Sequence, residues 1–173
     1  MLDLLLNRRS IRKFKDQKVE KDKLDMILKG ALTSPSGKNI QPWDLVIVDD
    51  KEILEKLAAS RGGPSKPLAN APLAIVVVAN PELTNVWVED TSIISTIIQL
   101  MAESLGLGSC WIQSRQRFTQ ADENMVVSDY VRDILGIPEN YFVESMIAIG
   151  YPDEEKKPHE IDLDIDKIHY NKF

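Results

Sequence analysis

The 173-residue chain has one cysteine, Cys110, and two histidines, His159 and His169, both near the C-terminus. A single thiol makes no internal disulfide and no cysteine-based metal cluster. HExxH, CxxC and His-rich tracts are absent, so the spacings that hold a structural zinc are missing. No Ser-His-acid order suggests a hydrolase. No apolar run approaches the ~20 residues of a membrane-spanning helix. The opening MLDLLLNRRS has a short apolar run but no preceding basic region and no small-residue cleavage site, so it does not read as a signal peptide. Basic charge is not in excess either. Lys and Arg number 21 against 27 Asp and Glu, a formal net charge of −6, which argues against general binding to nucleic acid or to an anionic membrane. What remains is an ordinary globular composition, 43% apolar and 28% charged, in a chain long enough for a sizeable core. One domain over residues 1–173, in the cytoplasm, is the expectation.

Helical and strand-like patterns alternate along the chain. Residues 2–6 read as a short helix. Leu24, Ile27, Leu28, Ala31 and Leu32 mark one face of a second, ended by Pro35. DLVIVD (44–49) reads as a strand, followed by a helix whose Asp49 and Glu52 have capping-box spacing. RGGPSKPLANAP (61–72) reads as a loop, and the purely apolar LAIVVVA (73–79) as a central strand. From Asp90 to Leu105 apolar residues cover most of a helix circumference, which predicts burial on more than one side, with a subunit interface as one explanation. SCWI (109–112) starts a strand. Ser128 is a candidate N-cap for a helix closed by Gly136, and YFVESMIAIG (141–150) is a further strand. This alternation predicts helices on a mixed sheet.

Three segments carry candidate chemistry. Arg8, Arg9, Arg12, Lys13 and Lys15 concentrate five of the 21 basic residues around Ser10. This is either a solvated charged turn or a site for one phosphate, whose oxygens suit guanidinium forks. PSGKNIQPW (35–43) is either a plain helix-to-strand turn or a preorganised site. Pro35 and Pro42 brace it, and Ser36, Asn39 and Gln41 offer donors and acceptors. GLGSCWIQS (106–114) is either a helix stop or a place where backbone approaches a ligand. Its glycines follow a helix and do not form GxGxxG, so a Rossmann site is not supported. Cys110, beside a tryptophan and without a neighbouring His, reads as a buried hydrophobe.

RRSIRKF, SPSGKNIQPW, GLGSCWI and the closing IGYP with its KIHYNKF tail, in that order over nearly the whole chain, resemble the nitroreductase family of FMN-dependent oxidoreductases. The resemblance implies an α+β fold, with a mixed sheet flanked by helices, in an intertwined homodimer. FMN would lie at the dimer interface and the C-terminal arm would reach the partner. It implies Arg8 at the FMN phosphate, with Ser10 and the Arg9 backbone, and Arg12 at the pyrimidine edge of the flavin. Pro35, Ser36, Gly37 and Asn39 would come from the partner subunit, with Gln41 beside them. Ile112 and Gln113 would lie along the ring, the Gln113 N–H near N5. Lys156 or Lys157 would complete the phosphate site. Ser114 stands where the family often has glycine, and the tail lacks the arginine many members carry. The implied activity is hydride transfer from NAD(P)H through FMN to an electron-poor small molecule such as a nitroaromatic or a quinone, with no side-chain acid or base. Alternatives are an FMN-storage protein without turnover, a flavin-fragmenting or dehalogenating relative, and an interaction domain that uses its basic segment on an acidic partner.

Overall fold

In the computed structural model, which describes residues 1–161 and 167–173, the elements run α1 (Leu2–Asn7), α2 (Lys21–Leu32), β1 (Trp43–Val48), α3 (Lys51–Ala59), α4 (Pro67–Asn70), β2 (Leu73–Ala79), α5 (Trp87–Ser104), β3 (Gly108–Gln113), α6 (Val127–Leu135) and β4 (Phe142–Gly150). The fold class is α+β. The sheet has the order β1-β2-β4-β3. The strand meant to be central, β2, is buried at every position.

The expected mixed sheet is antiparallel through all four of these strands. Among the described residues its parallel component is one bridge, Ser10↔Ser109. The reason lies in the connections. The excursion through α3 and α4 leaves and re-enters at one end of the sheet, since Val48 pairs with Ala74. Helix α5 does return the chain so that β3 runs parallel to β2, but β4 fills the gap between them, antiparallel to both.

Side chains alternate across the sheet, so each face has its own core. Leu73, Ile75, Val77, Ile147 and Ile149 pack with Ile27, Ile94 and Ile98 of α2 and α5. Val76, Val78, Cys110, Ile112 and Met146 pack with Leu54, Leu57 and Val131 of α3 and α6. On α5, Ile94, Ile98 and Ala102 are buried, whereas Ile93 is 38% exposed in the single chain.

Two caps differ from the sequence reading. Asp50, not Asp49, caps α3, its Oδ1 accepting the Ile53 N–H at 3.0 Å. The box with Glu52 is lost because the cap moves one residue on. Val126 occupies the N-cap of α6, and the Ser128 hydroxyl instead accepts the Val143 N–H of β4 at 3.0 Å. Gly136 ends α6 in the left-handed region, φ 64°, where a side chain is disfavoured. The segment read as a loop before β2 contains a 3-10 turn, Gly63–Ser65, and α4.

Candidate functional site

The basic segment runs along the outer edge of β3. The Ile11 N–H donates to the Ser109 carbonyl at 2.9 Å, and Ser10 bridges Ser109. Gly108 permits this approach: a Cβ there would lie 2.7–2.9 Å from Ile11 side-chain atoms. The chain after β4 fastens the segment from the other side. Phe14 bridges Pro152, and the Asp153 N–H donates to the Lys13 carbonyl at 2.9 Å. Glu154 Oε1 accepts the Arg12 and Lys13 N–H groups at 2.6 and 3.3 Å, while Oε2 pairs with Lys156 Nζ at 2.8 Å. The Lys156 hydrogen bond and then the Arg12 N–H hold the Glu154 carboxyl below the usual range. The Arg9 guanidinium donates to the Lys157 carbonyl. A cavity of about 200 Å³ lies here, lined by Arg9, Ile11, Glu103, Leu107, Glu154 and Lys156 among others.

Four residues further along β3, about 13 Å of strand, comes Gln113. Ser114 N–H donates to the Glu144 carbonyl at 3.1 Å, so by antiparallel alternation the N–H and C=O of Gln113 point off the sheet edge. Its carbonyl accepts from Arg61 Nη1 at 3.0 Å. Burial, then the nearby Arg117 charge, weighs against the Arg61 cation. The Gln113 side chain takes the Trp111 indole N–H on Oε1 at 2.9 Å and donates through Nε2 to Glu144 Oε1 at 3.2 Å. Ile112 is buried on the opposite face. Arg115 lies over the Trp87 ring, 5.6 Å from its centroid.

The segment from Pro35 to Gln41 sits elsewhere in the same chain. Trp43 pairs with Ala79, and Gln113 with Ser145, so the two segments share an end of the sheet but lie at opposite edges, three strand spacings or about 14 Å apart. A tight turn forms at Gly37–Asn39, with Asn39 N–H to the Ser36 carbonyl at 3.0 Å and Gln41 N–H to the Ser36 hydroxyl at 3.0 Å. Lys38, Asn39 and Gln41 all have positive φ, 52–56°. The cost of these left-handed conformations in residues other than glycine is a mark of functional loops. Asp90 Oδ1 accepts the Gly37 N–H at 2.8 Å.

The sequence model of the Nitroreductase family matches residues 5–151. The chain belongs to that family. It is 51% identical to a solved structure of an FMN-dependent nitroreductase from Clostridium difficile R20291, with a TM-score of 0.95 over all of both chains. A protein of Archaeoglobus fulgidus, provisionally named NADH dehydrogenase/NAD(P)H nitroreductase, is 38% identical over 99% of this chain and 98% of its own length. The NADPH-flavin oxidoreductase of Vibrio harveyi is 29% identical over 91% of this chain and 68% of its own length.

In this nitroreductase-family chain Arg8, Arg9, Ser10, Arg12, Lys156 and Lys157 gather at one end of the β3 edge, and Gln113 lies at the other. Pro35, Ser36, Gly37, Asn39 and Gln41 do not join them within one chain. Glu144 and Arg61, which contact Gln113, were not singled out from the sequence. A lone Glu in the apolar run FVESMIAIG was a signal for Glu144; Arg61, in a Gly- and Pro-rich connector, gave none. Cys110 is buried and free, and burial pushes its thiol up, away from the thiolate a nucleophile needs. His159 and His169 are exposed. Among the described residues no helix is long and apolar enough to cross a membrane. The tail's expected path to a partner runs through residues 162–166, which lie outside the described residues.

Proposed function

We propose that the protein is an FMN-dependent NAD(P)H oxidoreductase that works as a homodimer, each site combining the β3 edge of one copy with the Pro35–Gln41 loop of the other. The observation that carries this reading is the β3 edge itself. Clustered cations stand at one end of it, and a main-chain N–H turned off the sheet stands at the other. That edge suits a ligand with a phosphate at one end and a polar ring edge at the other. The loop, stiff and strained but at the far sheet edge, has no role at this site unless a second copy supplies it.

The chemistry that FMN supplies when bound is hydride transfer at N5, from NAD(P)H and on to an electron-poor acceptor such as a quinone or a nitroaromatic. The chain's own residues bind and orient. Arg8 and the Ser10 hydroxyl take the phosphate oxygens, helped by the Arg9 backbone and by Lys156 or Lys157. Glu154 sits beside this cluster and orders it by tying Lys156 to the Arg12 backbone. The Arg12 cation balances negative charge at the pyrimidine edge. Gln113 lines the ring and its N–H donates to the ring edge, while Ile112, expected beside it, is buried on the opposite face and supports the strand from behind. Ser36, Asn39 and Gln41 of the partner copy complete the polar contacts.

Steady-state oxidation of NADH and NADPH by the FMN-loaded protein, with a quinone and a nitroaromatic as acceptors, tests the activity. Acceptor-dependent, ping-pong turnover is expected. Bound FMN without turnover would make it a storage protein.

A further inference from the structure

Glu144 is an extra residue in its strand. Val77 pairs with Ser145 and Val78 with Val143, so the register of β4 against β2 shifts and leaves Glu144 in a β-bulge. Bulges bend a strand and re-aim a side chain, and they recur beside active sites. Here the carboxyl is brought into the interior at 3% exposure. Oε1 accepts from Gln113 Nε2 at 3.2 Å. Among the described residues Oε2 has no hydrogen-bond partner; its ion pair with Arg115 Nε, at 4.0 Å, is too long to be one. The Glu144 carbonyl also collects donors, from Ser114 N–H and Arg115 N–H at 3.1 Å each and from Gln113 Nε2 at 3.3 Å.

Burying a carboxyl is costly, and the cost shows as a carboxyl pushed above its ordinary range by burial, against the pull of Gln113 and Arg115. Apart from Ser145, which bonds the Ser95 hydroxyl at 3.0 Å, the strand around it is apolar, so packing alone does not call for an acid. The Trp111 indole can only donate, which fixes the Gln113 amide with its oxygen toward Trp111 and its NH2 toward Glu144. Glu144 therefore holds the residue whose main-chain N–H leaves the sheet edge.

We propose that Glu144 is a positioning residue. Through the Gln113 side chain and the two N–H groups after it, it fixes the direction of the Gln113 main-chain N–H and so sets how strongly the site prefers reduced over oxidised flavin. The inference rests on the FMN reading above.

The test is the two-electron midpoint potential of bound FMN, with FMN affinity measured alongside, in Glu144→Leu, Gln113→Leu, the double variant and Glu144→Gln. Either Leu variant should raise the preference for reduced FMN about tenfold, which is about 30 mV for a two-electron couple, because oxidised N5 accepts the N–H and reduced N5, which carries a hydrogen, does not. The double variant should shift no further than either single one. Glu144→Gln, whose amide oxygen still accepts from Gln113, should keep the wild-type potential. Unchanged potentials in the Leu variants, or shifts that simply add, overturn the proposal. Gln113→Leu changes a half-buried side chain, so its potential decides the matter even if Glu144→Leu does not fold. A wild-type protein that takes up no FMN sinks the parent reading and this one together; bound FMN with unmoved potentials sinks this one alone.

Discussion

Asp90, in the first turn of α5, accepts the Gly37 N–H at 2.8 Å across 53 residues of sequence. Asp90 is 3% exposed, and among the described residues its other oxygen has no hydrogen-bond partner. It pins the strained Gly37–Asn39 turn to the helix that packs on the sheet. Asp90→Ala should therefore lower stability by about 1–3 kcal/mol, read from urea denaturation. Asp90→Asn, which keeps an acceptor oxygen, should lose less than half as much. Equal losses would show that the Gly37 contact is not what the carboxylate provides.

Gly108→Ala tests the seating of the basic segment. The new methyl would meet Ile11 below 3 Å, and Ile11 is itself buried. Overpacking of this kind costs about 1–3 kcal/mol. The strain should push residues 8–12 off β3, so FMN affinity should fall together with the melting temperature. A lower melting temperature with undiminished FMN affinity would separate the segment from the cofactor.

Arg8→Ala removes a charge without touching the core. FMN affinity should weaken by about 1.5–3 kcal/mol for the loss of a charge-assisted hydrogen bond. Stability without FMN should stay within about 0.5 kcal/mol of wild type. Fluorescence titration with FMN checks the first and thermal melting the second. Unchanged affinity would remove Arg8 from the phosphate site.

Glu144 gives a pH dependence with a definite sign. Burial raises its folded-state value above the unfolded one, so between the two values the folded chain holds more protons than the unfolded chain. Stability then falls as pH rises through that window, and the full penalty is present above the folded-state value. Glu144→Gln carries no such penalty. Its stability relative to wild type should improve from acid toward neutral pH in denaturant titrations. A difference independent of pH would mean that the carboxyl is not strained by its burial.

Periodicity found what repeats. The apolar runs that became β1, β2 and β4 and the helical face Leu24–Leu32 were legible because burial on one or both faces writes a period into the sequence. The parallel or antiparallel sense was not, because it depends on β4 entering between β2 and β3, a long-range choice with no local mark. The caps at Asp50 and Val126 escaped for a related reason. Asp49 and Asp50 are equivalent in sequence, and Ser128 finds a better use in accepting the Val143 N–H. Of the candidate site, the residues that repeat a family pattern were legible. Arg61 was not, and the lone Glu144 in its apolar run marked itself but not its target, since each contacts Gln113 from a distant part of the chain. The separation of the Pro35–Gln41 loop from the β3 edge was implied by the family resemblance, but its physical basis lies in strand order.

The visible absorbance spectrum of the purified protein, mixed with FMN and then desalted, tests the central claim most directly. The account predicts a yellow protein that retains FMN at one molecule per chain. A colourless protein that releases all added FMN would contradict it.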